Sequence, residues 1–134
     1  MPIKNILLPE YSFVYSCYYG SIDDIQVRAY ADQLKNQISG FKSYCEIIDF
    51  SHNVDFSQLS SETLNNAGAL EKERPNAGTG PLAILVIDPL TYGLARTYST
   101  FASDSRTDVL ISYSLDDCFA FMGFNEHQKL NIKN

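Results

Sequence analysis

Apolar positions along this chain change spacing several times, from every second residue to every third or fourth, and each change marks a strand giving way to a helix. From Phe13 to Tyr19 the pattern is strictly alternating: Phe13, Tyr15, Cys17 and Tyr19 fall on one face, Val14, Ser16 and Tyr18 on the other. Ile3–Leu8 is a second strand candidate, and Pro9-Glu10-Tyr11-Ser12 between the two reads as a turn, which predicts a hairpin. After Gly20, Val27, Tyr30, Ala31, Leu34 and Ile38 take helical spacing, with Ser21 and Asp24 placed as a capping pair and Gly40 as the stop. Tyr44–Phe50 is the third strand, and the polar stretch Ser51–Leu59 reads as a loop.

A second helix is predicted from Ser60 or Ser61, both good N-caps, with Glu62 in its first turn and Leu64, Ala67 and Leu70 as its few apolar positions. The stretch 75–81 holds two prolines and two glycines and reads as a mobile loop. Leu82–Ile87 is apolar without alternation, as expected of a central parallel strand covered on both faces. Asp88 before Pro89 opens a third helix, with Thr91 as an alternative cap and Leu94, Ala95, Tyr98, Phe101 and Ala102 as its buried stripe. Val109–Tyr113 is the fifth strand, and Ser114 caps a short helix that turns Leu115, Cys118, Phe119 and Met122 inward. Together these predict an α/β domain over residues 1–124, a mixed sheet of five strands with four helices, and a polar tail at 125–134 that frays.

Composition agrees with one folded domain: 134 residues, 45% of them hydrophobic. The net charge of −6, with no cluster of Lys and Arg, argues against nucleic acid and anionic membranes as partners. No apolar run reaches membrane-spanning length, and the first ten residues have too short an apolar run for a signal peptide. Cys17, Cys45 and Cys118 are isolated and odd in number, which suits core thiols in a reducing cytoplasm.

Candidate chemistry is sparse. There is no Gly-x-Ser-x-Gly elbow, no Cys lies near a His in sequence, and Gly78-Thr79-Gly80 lacks the Lys of a phosphate loop. Asp49, His52 and Asp55 put two carboxylates and a histidine in one loop, but their spacing matches no metal-ligand motif, and such loops carry Asp for turn hydrogen bonds. No metal, no cofactor and no catalytic residue is expected. One further place offers binding chemistry: Asp88, Thr91, Tyr92 and Arg96 at the start of the third helix, where Arg96 and free N–H groups could hold an anion. The alternative there is an Arg paired with a carboxylate and a Tyr packed at the rim. Tyr11, Tyr18, Phe56 and Phe124 fit no stripe and are candidates for a pocket or a subunit interface.

The order strand–strand–helix followed by three strand–helix units resembles the STAS domains of bacterial anti-sigma-factor antagonists and the small STAS-like proteins grouped beside lipid-transfer domains. The residues that carry the resemblance are Gly20-Ser21-Ile22-Asp23-Asp24, Ile47-Ile48-Asp49, Tyr92-Gly93-Leu94-Ala95-Arg96 and Asp116–Gly123. It implies a right-handed βα superhelix and a cytoplasmic, non-enzymatic regulatory module that works through protein partners, a second copy of the chain among them. Its alternative implication is a small-molecule or lipid-binding protein whose apolar pocket lies near the loop before the second helix. In STAS antagonists a regulatory Ser or Thr precedes that helix; the matching stretch here is Asp55–Glu62, which makes Ser57, Ser60 and Ser61 the phosphorylation candidates. The glycine of the family pattern is missing from it, and Ser60 or Ser61 has an ordinary alternative role as the helix cap.

Overall fold

In the computed structural model, which describes residues 3–41, 43–69, 80–102 and 108–133, five strands stand side by side in chain order. β1 (Ile3–Leu8) and β2 (Phe13–Ser21) form the antiparallel hairpin. β3 (Cys45–Asp55), β4 (Leu82–Leu85) and β5 (Val109–Ser112) continue the sheet, each parallel to the strand before it. β4 lies between β3 and β5 with Leu82, Ala83, Ile84 and Leu85 all buried, so the unbroken apolar run is the central strand its composition predicts.

Alternation along the strands divides the core in two. Val14, Ile48, Leu82, Ile84 and Val86 face α1 (Asp24–Gln37), α2 (Ser61–Ala69) and α3 (Pro89–Ala102), where Tyr30, Leu34 and Ala95 meet them. Phe13, Tyr15, Ile47, Ala83 and Leu85 face the other way, onto Cys118 and Phe119 of α4 (Leu115–Met122) and Ile132 of α5 (Glu126–Lys133). Tyr11, Tyr18, Phe56 and Phe124, unplaced by sequence, pack partly buried against the core: Phe124 stands edge-on to Phe13 and beside Tyr11, and Tyr18 packs against Tyr30, Phe50 and Phe56. Among the described residues no helix is long and apolar enough to cross a membrane.

Four local expectations change. The cap of α1 is Asp23 rather than Ser21, because β2 runs on through Ser21; Asp23 and Gln26 form a reciprocal capping box, with bonds of 2.8 and 2.9 Å. Asp23→Ala is expected to lower stability by about 1 kcal/mol in urea unfolding, while Asp23→Ser retains most of it. β3 does not stop at Phe50 but reaches Asp55, and β4 ends at Leu85. Among the described residues the α-helices number five, not four: 126–133 is helical, opened by reciprocal bonds between Asn125 and Gln128 and held down by buried Ile132. The positions expected for Leu70 and for 75–79, and the side chains of Ala67, Phe101 and Ala102, lie outside the described residues.

Candidate functional site

One row of residues crosses the sheet near the carboxyl ends of its parallel strands: Cys17 on β2 pairs with Asp49 on β3, Asp49 with Leu85 on β4, and Leu85 with Ser112 on β5. Beyond it the ladder becomes irregular. Tyr19 pairs with His52 and Gly20 with Val54, so β3 gains a residue twice against β2. This bulge decides the chemistry. Residues three apart on a regular strand point to opposite faces, so Asp49 and His52 would be separated by the sheet; the extra residue, Ser51, resets the phase and puts both side chains on the Cys17 face. Asn53, with φ of 52°, takes the second irregularity, and Asn is among the residues that tolerate that conformation best.

Asp49 is the hub. Its side chain is buried, and Oδ1 accepts the N–H of Ser51 at 2.7 Å and the Ser51 hydroxyl at 2.5 Å, so the carboxylate braces the bulge that re-aims its neighbour. Oδ2 accepts the Tyr15 hydroxyl at 2.5 Å. It also receives His52 Nε2 at 3.1 Å and the Cys17 thiol at 4.0 Å. Because a carboxylate only accepts, Nε2 is the donor in the histidine contact. The Tyr19 ring lies over the imidazole at 4.9 Å and carries Lys4 on its own face, 5.6 Å away. Burial, with the adjacent carboxylate adding to it, pushes the Cys17 thiol above its ordinary value. Burial and the bond to Asp49 hold the Tyr15 phenol far above its own.

The cluster forms one wall of a cleft of about 480 Å³ on the α4–α5 side of the sheet. Ile6, Leu85, Ile87, Leu115 and Phe119 supply apolar walls, and Tyr113 stands at the rim. Its place at the ends of parallel strands is where α/β folds bind ligands, and its mix of an apolar lining with a few convergent polar groups is that of small-molecule sites. The order of contacts is wrong for a nucleophilic triad. There the histidine stands between nucleophile and acid; here the acid stands between Cys17 and His52.

The residues singled out by sequence are placed as follows. Asp88 caps α3, its Oδ1 accepting the Thr91 N–H and hydroxyl at 2.8 Å each, so these two are turned to one another. The backbone bond from Thr91 is the main cause that lowers the Asp88 carboxyl below its usual range. Tyr92 and Arg96 share a shallow hollow with Ser99, Thr100, Val109 and Ile111 that neither Asp88 nor Thr91 lines. The Ser99 and Thr100 hydroxyls donate to the Arg96 carbonyl, and Tyr92 stacks on Tyr113 at 5.9 Å. Ser57, Ser60 and Ser61 are exposed. Ser60 is the α2 cap, accepting the Thr63 N–H at 3.1 Å and donating its own N–H to Asp24 at 2.8 Å.

Sequence reading missed the cluster because Cys17 and His52 are 35 positions apart and because Ser51–Asp55 was read as loop. Cys17 and His52, distant in sequence, come within 4.8 Å of one another on either side of Asp49. Asp55, the third member of the expected loop group, is elsewhere, bonded to the Ser57 N–H. Set against protein-family models and curated proteins, the chain matches none of either, so the functional reading rests on this geometry.

Proposed function

We propose that this chain is a non-enzymatic small-molecule-binding module whose ligand seat is the cleft walled by Asp49. The observation that carries the reading is the cleft itself: a half-open apolar trough at the strand ends with a single polar wall. Such a seat suits a small amphipathic molecule that lays an apolar body on Ile6, Ile87 and Leu115 and directs one polar group to Ser51, His52 or Tyr113. The buried carboxylate of Asp49 disfavours an anionic head, so an anionic ligand fits the Tyr92–Arg96 hollow better. The pocket expected near the loop before α2 is an apolar space of about 40 Å³ between Tyr18, Phe50, Phe56 and Tyr98, room for a water-sized group and not for an acyl chain.

The test is a protein-observed NMR screen with small aromatic alcohols and amines. Shift changes are expected at Tyr15, Cys17, Asp49, His52, Tyr113 and Phe119, and Leu115→Trp, which fills the mouth, is expected to abolish them. Changes centred on Arg96 and Thr100, or none in a folded spectrum, overturn the reading.

A second reading, a STAS-like regulatory module with the right-handed βα superhelix and protein partners, is supported by the chain-order stacking of parallel strands. Exposed serines at the α2 N-terminus, where a phosphate meets free N–H groups, also favour it. Asp24, bonded to the Ser60 N–H, and Asp55, bonded to the Ser57 N–H, each repel a phosphate at that serine, which makes Ser61 the better acceptor. Intact-mass measurement of the protein from its native source decides: phosphate on these serines supports that role, and its absence leaves Ser60 as a helix cap.

A further inference from the structure

We propose that Cys17, Asp49 and His52 form a site for a divalent transition-metal ion of the zinc class, held by three protein ligands with the fourth position open to the cleft. The inference deepens the ligand-binding reading and shares its cleft; it rests on that reading only for what fills the fourth position. One ligand atom from each of Cys17, Asp49 and His52 lies within 4.8 Å of the other two. Around a tetrahedral zinc such donors stand roughly 3.3–3.7 Å apart. The two distances to Asp49, 3.1 and 4.0 Å, lie a few tenths of an ångström either side of that range. Closing the third requires movement of His52, whose side chain is 43% exposed and rests on the Tyr19 ring.

The donor set selects the metal. A thiolate and an imidazole exclude magnesium and calcium, which take oxygen ligands, and favour zinc and its neighbours. Oδ2 has two lone pairs; Tyr15 takes one, and the other now faces the hydrogens of Cys17 and His52 together. A dication there replaces both hydrogens: the Cys17 proton passes to solvent, His52 turns its lone pair to the metal through its other tautomer, and no bond of Asp49 to Tyr15 or Ser51 is broken. Those remaining bonds are the outer-shell donors that fix a ligating carboxylate in metal sites. The bulge at Ser51 brings His52 to the face that Cys17 and Asp49 occupy.

Cobalt(II) is the probe. The reduced, untagged chain, stripped with a chelator, is titrated with Co²⁺ under argon and read by absorption. One equivalent is expected to give a near-ultraviolet thiolate-to-cobalt band with the visible bands of a tetrahedral ion, both removed by Zn²⁺. Cys17→Ser is expected to abolish the thiolate band, while Cys45→Ser and Cys118→Ser retain it. Tyr15→Phe is expected to keep the band and weaken binding by about 10–100-fold, the usual effect of an outer-shell partner. His52→Ala is expected to weaken binding and shift the visible bands. Absence of the thiolate band in folded wild-type protein, or its survival in Cys17→Ser, overturns the metal site. The chelator-stripped protein also goes through the NMR screen. Cleft shifts without a cobalt band defeat the metal alone; a cobalt band without cleft shifts upholds the metal and defeats the small-molecule reading.

Discussion

Phe119→Ala is expected to lower the free energy of unfolding by about 3–5 kcal/mol, the cost of truncating a fully buried aromatic. Phe119 has no exposed surface and reaches from α4 into the cluster of Phe13, Tyr15, Ile47, Ala83, Leu85 and Ile132, with the Phe124 ring 6.4 Å away. Two features put the cost at the upper end. The floor of the cavity is a five-stranded sheet, which cannot sink to fill a void. The roof is a helix of eight residues, far too short to persist without its packing. Since small domains are stable by about 5–15 kcal/mol, this one change consumes a third or more of the total. Urea unfolding followed by far-ultraviolet circular dichroism measures it, and Phe119→Leu should restore most of the loss. A loss under about 1.5 kcal/mol would mean that α4 does not seat on the sheet as seen.

Phe119 was legible before any coordinates, as were the hairpin, the doubly covered β4 and the inward stripe of α1. In each case apolar spacing alone fixes the buried face, and burial dominates the energy. Where polar residues make structure, sequence is a poorer guide. Ser51–Asp55 reads as loop because its residues are poor strand formers, yet it pairs with β2 through bulges that local bonds to Asp49 sustain. The segment 126–133 reads as tail because its one deeply buried apolar residue, Ile132, forms no stripe. A single anchor and a capping pair are enough to dock it.

The candidate site fell in the gap between those two kinds of signal. Asp49 and His52 were visible as a pair in a polar stretch, but period-two reasoning puts residues three apart on opposite faces, and nothing in the sequence announces a bulge. Cys17 was read as core because it lies in an alternating strand, which it does; only the parallel register of β2 with β3 sets it beside Asp49. Tyr92 and Arg96 were correctly read as neighbours on one helix face, since helical spacing determines that by itself.

The turn before β4 makes the sharpest demand on a single residue. Gly80→Ala is expected to cost about 2–4 kcal/mol, where the same change at Gly20 costs about 1–2 kcal/mol. Both glycines have positive φ, 77° and 60°, so both substitutions meet the left-handed strain of an L side chain. They differ in their surroundings. A Cβ on Gly20 has nothing within 4 Å, while one on Gly80 would sit 1.8 Å from the Tyr44 carbonyl oxygen and 2.5 Å from its carbon. Those atoms are backbone and cannot rotate aside. The chain must move at Pro81, whose carbonyl accepts the Glu46 N–H at 3.1 Å and opens the β3–β4 pairing. Shifting it therefore adds the loss of that bond to the strain and loosens the strand that carries Leu85 to the cleft. Sequence marked Gly80 as a turn residue but not as a point of contact between two chain segments, since closeness of this kind exists only once β3 and β4 are paired. Paired urea unfolding of the two variants gives the answer: equal losses at Gly80 and Gly20 would show that Tyr44 does not press on this turn.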